Sequence, residues 1–122
     1  MQIETPEAVE NAEAIAATPG VEGLFIGPGD LGLRLKHLQN PPFDLDTAVQ
    51  RVAAACKKHG KAWGQPASSV EHLKKLTDMG AQLMAWGSEF GALRNMLEER
   101  SREWRQVLGE ESGEQLADSR YR

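Results

Sequence analysis

Four short apolar runs, each followed by a helical pattern, constrain this chain more than any other feature. Gln2 to Glu4 reads as the end of a strand. Thr5 then stands as an N-cap with Pro6 at the first helical position, where the missing N–H of proline costs nothing. The helix is expected to run to about Ala17, with Val9, Ala12 and Ala16 on one face, before Pro19-Gly20 stops it. Val21 to Ile26 reads as a buried strand, Gly27-Pro28-Gly29 as a tight strand-to-helix turn, and the segment to about Leu38 leads into a loop through Asn40-Pro41-Pro42.

The pattern then repeats. Leu45, Val49, Val52 and Cys56 recur at helical spacing, predicting a helix over about 46–59 closed by Gly60. Lys61 to Gly64 follows as a short strand. Ser68 with Glu71 three residues on reads as a capping box for a helix whose face is Val70, Leu73 and Leu76, ended by Gly80. Gln82 to Trp86 is the fourth strand, and Gly87-Ser88 opens a last helix with Phe90, Leu93, Leu97, Trp104 and Leu108 on one side. Strand–helix alternation at this spacing argues a parallel sheet in an α/β fold. Four β-α units are half of an eight-stranded barrel, and 122 residues are about half of the roughly 250 that such a barrel takes. Residues 1–108 are read as a partial barrel with a C-terminal helix, and 109–122, poor in apolar residues, as a disordered tail.

Composition narrows the partners. A net charge of −4 without a basic stripe argues against nucleic acid. No apolar run approaches the ~20 residues of a membrane span. A single cysteine, Cys56, allows no internal disulfide, and no secretory signal is visible at the N-terminus, so a cytoplasmic location is expected.

Two carboxylates stand out because each closes an apolar run: Glu4 after Gln2-Ile3, and Asp30 after the Leu24–Gly29 segment. Strand ends before helices are where (β/α) barrels place their chemistry. Two hard oxygen ligands from adjacent strands suit Mg²⁺ or Mn²⁺, with water and a chelating substrate completing the octahedron. The alternative is local: Glu4 as a cap or salt-bridge partner, Asp30 as an ordinary helix start. The Gly27–Asp30 turn offers free N–H groups that suit a substrate carboxylate, though an ordinary β-α turn looks the same. Gln2 shares the strand face of Glu4 and can donate to a substrate oxygen. Cys56 reads as packing, His37, His59 and His72 as surface residues, and Trp63 and Trp86 as core residues or a pocket mouth. Glu98 and Arg102 read as a solvated pair, and Gly87-Ser88 only hints at a phosphate site.

These residues carry a resemblance. Gln2-Ile-Glu-Thr5, Pro19-Gly-Val-Glu-Gly-Leu-Phe-Ile-Gly-Pro-Gly-Asp-Leu31 and Met84-Ala-Trp-Gly-Ser-Glu-Phe-Gly-Ala-Leu93 occur in the order and spacing of one family. Over about residues 1–100 the chain resembles the second half of the class II pyruvate aldolases, the 4-hydroxy-2-oxoheptanedioate and 2-dehydro-3-deoxyglucarate aldolase group. The resemblance implies the second half of a (β/α)8 TIM barrel, a divalent metal on Glu4 and Asp30, and contacts to pyruvate from Gln2 and the Gly29 backbone. Gly29 stands where alanine is more usual. The implied reaction is reversible retro-aldol cleavage of a 4-hydroxy-2-oxo acid to pyruvate and an aldehyde, the metal stabilising the pyruvate enolate. The acid/base histidine and an arginine belong to the first half of the family's barrel, so none of the catalytic proton transfer is assigned to this chain. Met1 falls inside a strand of the family pattern, with further sequence expected before it. The relatives imply a homo-oligomer. Two other readings stay open: a CoA-ester lyase of the citrate lyase β or malyl-CoA lyase type, and an inactive, self-associating half-barrel.

Overall fold

The structure, a computed structural model, describes residues 1–109. The described residues form two compact units, Met1–Trp86 and a second that begins at Gly87. The first holds β1 (Gln2–Ile3), α1 (Pro6–Glu10), α2 (Ala12–Ala17), β2 (Gly23–Ile26), α3 (Pro28–His37), α4 (Leu45–His59), β3 (Ala62–Ala67), α5 (Val70–Asp78) and β4 (Leu83–Trp86). The four strands make one parallel sheet in the order β1-β2-β3-β4. The alternation of strands and helices read from the sequence is therefore present. The tail assigned to 109–122 lies, beyond Gly109, outside the described residues.

Period-two alternation separates the two faces of the sheet. Ile3, Leu24, Ile26 and Trp63 are buried, and they share the core with Val9, Ala12 and Ala16 of α1–α2, Val52 and Cys56 of α4, and Leu76 of α5. The other face carries the register row Gln2, Phe25, Gly64 and Leu83. Gln2 and Leu83 on that row are exposed and Phe25 is half-buried.

Several boundaries differ from the sequence reading. The helix expected up to Ala17 is two, because Asn11 leaves helical geometry at φ −91°, ψ 6° while its side-chain amide donates to the Glu7 carbonyl at 3.0 Å. Asparagine competes for backbone groups in this way and helices break there. The N-cap of α5 is Ser69, whose hydroxyl accepts from the His72 amide at 3.1 Å; Ser68 instead meets the His72 ring. Two adjacent serines satisfy the same pattern, and only the backbone decides between them. The strand expected to end at Gly64 continues to Ala67. Pro66, which cannot donate to a ladder, sits where β2 has already turned into α3, so its only strand partner is Ala85 of β4. Phe43, just after the Asn40-Pro41-Pro42 loop, is buried, with the Arg51 guanidinium 4.6 Å from its ring centroid.

The second unit contributes α6 (Glu89–Leu108), capped by Ser88 and closed by Gly109 in the left-handed conformation at φ 69°. None of its residues is buried, and Phe90, Leu93, Leu97, Trp104 and Leu108 are all exposed.

Candidate functional site

The site is built on the C-terminal ends of β1 and β2. The Gly27 amide donates to the Ile3 carbonyl at 3.0 Å, which fixes the end of β2 against the end of β1. Glu4 is the next residue of β1's run and lies on the face of Gln2, opposite the buried Ile3. Its side chain lies across Gly27. A Cβ built on Gly27 would stand 2.7 Å from the Glu4 Cγ and 2.8 Å from Oε1. The half-buried Glu4 makes no hydrogen bond or ion pair with another described residue, and neither does the exposed Asp30 side chain.

Gly27 is the N-cap of α3, followed by Pro28, Gly29 and Asp30 in its first turn. The first amides of a helix have no intrahelical acceptor, so those of Gly29 and Asp30 remain available to an anion. The Asp30 carboxylate sits in the first turn of the same helix. The structure therefore brings Glu4 against Gly27 and sets Asp30 within one helical turn of it. Gln2 is exposed on the same strand face as Glu4.

No group of three or more His, Cys, Asp or Glu is gathered for a metal among the described residues. Two unpartnered carboxylates without a nitrogen or sulfur donor fit a hard cation that keeps most of its shell for water and a chelating ligand. They do not fit a closed structural zinc site.

The other candidates resolve differently. Cys56 is fully buried, and desolvation raises its thiol above the usual range. Trp63 is in the core, whereas Trp86 is exposed on the edge strand. Of the three histidines assigned to the surface, only His37 is exposed. His59, at the end of α4, is half-buried with Nε2 lacking a hydrogen-bond partner, 3.9 Å from Glu13. His72 is half-buried, 3.1 Å by Nε2 from the Gln65 amide and 2.9 Å by Nδ1 from the Ser68 hydroxyl. The reason is packing. Gln65, 3% exposed, lies on the strand face that carries Trp63, so it needs a polar partner from the helix layer, and α5 supplies one. That network and the Glu4–Gly27 contact escaped sequence reading. The second was foreseeable, since Glu4 and Gly27 end adjacent strands.

A parallel four-stranded sheet with helices covering one face matches part of a (β/α)8 barrel. Comparison with known proteins agrees. The chain belongs to the HpcH/HpaI aldolase/citrate lyase family, whose pattern matches residues 1–96. It is 42% identical over 96 residues to a 5-keto-4-deoxy-D-glucarate aldolase of Klebsiella pneumoniae, covering 78% of this chain and 38% of that protein. A protein of the same name from Salmonella gallinarum is 41% identical over 95 residues, with coverage of 77% and 37%. Among solved structures, an HpcH/HpaI aldolase/citrate lyase family protein from Burkholderia cenocepacia superposes with a TM-score of 0.71 at 35% identity. That superposition covers 85% of this chain and 41% of the other. The chain thus spans about two fifths of the length of the relatives it matches.

Proposed function

We propose that this chain carries the metal-binding part of a divalent-metal-dependent carbon–carbon lyase, which cleaves a 4-hydroxy-2-oxo acid to pyruvate and an aldehyde. The observation that carries the reading is the Glu4 side chain lying unpartnered across the Gly27 turn that leads to Asp30. Membership of an aldolase family supports it, and its 5-keto-4-deoxy-D-glucarate aldolase relatives are named for a keto acid.

In this reading Glu4 and Asp30 hold Mg²⁺ or Mn²⁺. When bound, the cation supplies Lewis-acid polarisation of the substrate's 2-oxo group. The Gly29 and Asp30 amides hold the substrate carboxylate at the helix N-terminus. Gln2 donates to a substrate oxygen from the same strand face. Proton transfer at the aldehyde oxygen belongs to residues outside this chain. His37 and His59 lie on α3 and at the end of α4, and His72 is engaged with Gln65 and Ser68 in the helix layer. The protein is proposed to act in the cytoplasm; no helix among the described residues is long and apolar enough to cross a membrane.

Titration of the chain with Mn²⁺ tests the assignment. Asp30→Asn is expected to weaken binding strongly, and equal affinities for the two proteins would rule it out. The family description also names citrate lyase. Turnover of a CoA thioester in place of a hydroxy-oxo acid, once the rest of the barrel is supplied, would favour that second reading.

A further inference from the structure

Gly27 occupies a position that any residue could adopt by backbone geometry. Its φ of −93° is on the ordinary side of the map, unlike Gly20, Gly60, Gly80, Gly87 and Gly109, which all have positive φ. Conformational freedom is therefore not the reason for a glycine here. Space is. Within 4 Å of a Cβ at this position the nearest atoms are all from Glu4: Cγ at 2.7 Å, Oε1 at 2.8 Å and Cδ at 3.2 Å. Gly29 and Gly32, two and five residues on, have nothing within 4 Å of theirs.

We propose that Gly27 is a positioning residue: the absence of its side chain gives the Glu4 carboxylate its place at the end of the sheet. The inference rests on the metal reading of Glu4 and adds a residue to it. Glu4 has no hydrogen bond or ion pair to another described residue to hold it, so the flat surface of the Gly27 backbone is what its carboxylate lies on. The Gly27 amide is committed to the Ile3 carbonyl, so the turn cannot retreat without loosening the β1–β2 ladder. A methyl group at position 27 must therefore displace the Glu4 side chain. The carboxylate then leaves the place from which it would share a cation with Asp30.

The test uses the full chain and Mn²⁺ alone as the probe, with binding followed by calorimetry and by the electron paramagnetic resonance signal of the free ion. Gly27→Ala is expected to weaken Mn²⁺ binding by about 10–100-fold, the range typical of residues that orient a ligand. Gly32→Ala, a methyl added in α3 with open space around it, is expected to leave affinity unchanged. If the wild type binds and Gly27→Ala binds equally well, the proposal is overturned. If the wild type does not bind, the metal reading fails, and the packing claim is judged by melting temperature instead. Gly27→Ala costs some capping in either background, and is expected to lower it further in the Glu4 background than in the Glu4→Ala background, where the colliding atoms are gone. An equal loss in both backgrounds would overturn the positioning role. The double variant also guards against a Gly27→Ala protein that fails to fold.

Discussion

Gly64→Ala is the substitution whose effect can be worked most directly from the structure. A Cβ at Gly64 would stand 1.5 Å from the Leu83 carbonyl oxygen and 2.4 Å from its carbon, on the backbone of the neighbouring strand. Since a Cβ essentially never lies within 3.0 Å of such an atom, β4 would have to withdraw by about 1.5 Å. The Gln82 amide now meets the Trp63 carbonyl at 2.8 Å, so the same withdrawal takes it beyond hydrogen-bonding range. The β3–β4 ladder comprises four register pairs, one of them at Pro66 without a donor. About three bonds at roughly 1 kcal/mol each, with some overpacking strain, give a loss of about 3–5 kcal/mol. That is a large part of the 5–15 kcal/mol of a typical domain. Urea unfolding followed by tryptophan fluorescence reads this, because Trp63 is buried beside the site of the clash. Gly32→Ala serves as the opposite control and is expected to stabilise by about 0.5–1 kcal/mol, as alanine does in a helix interior. A Gly64→Ala midpoint within about 1 kcal/mol of wild type would refute the argument that the close approach of the two strands requires a glycine.

Leu24→Ala removes a fully buried side chain from the sheet–helix core and should cost about 2–5 kcal/mol by chemical denaturation. Ser69→Ala should cost about 1 kcal/mol by removing the α5 cap, whereas Ser68→Ala should leave the cap intact; equal losses would contradict the cap assignment. The Asp44 carboxyl is held below its usual range by the Thr47 side chain and by the Thr47 amide that it accepts from at 2.7 Å. Its contribution is therefore present above the unfolded carboxylate range and is lost as pH falls through the lower folded value, and Asp44→Asn should flatten the acid limb of a stability–pH curve. The Cys56 thiol is shifted the other way by burial, so its contribution is complete below the unfolded thiol value and fades as pH rises past it; Cys56→Ala should reduce that alkaline loss in thermal melts. The exposed edge of β4 and the apolar stripe of α6 predict self-association, which a clean monomer at micromolar concentration by light scattering would defeat. The chain alone should turn over aldol substrates far more slowly than whole relatives, since a positioned acid/base is typically worth 10²–10⁴-fold. Full activity from the purified chain, abolished by EDTA, would overturn that division of labour.

The sequence made most of the fold legible because its elements announce themselves locally. β2 and β4 end directly before Gly27 and Gly87, and Gly60 closes α4 as expected. What stayed hidden depended on tertiary context. Asn11 broke a helix whose apolar spacing ran straight through it, and β3 extended past Gly64 because β4 continued to pair with it. At the site, Glu4, Gly29 and Asp30 were visible as strand-end and turn residues. Their adjacency follows from the strand order, and only the placement of the Glu4 side chain on Gly27 needs the structure. His72 is half-buried rather than at the surface for a similar reason. Nothing in α5 itself says that a buried glutamine waits on the neighbouring strand.

The strand order has a temporal consequence. Each strand pairs with the one that follows it in the chain, and the register partners Gln2 and Phe25, Leu24 and Trp63, and Gln65 and Met84 lie 23, 39 and 19 positions apart. Among the described residues, each strand finds its partner in the unit next to it. As the chain leaves the ribosome, each β-α unit can be laid against the last, and loop-closure entropy is met in small instalments along the way. Folding in this architecture is vectorial, with the growing edge of the sheet as the template for the next strand.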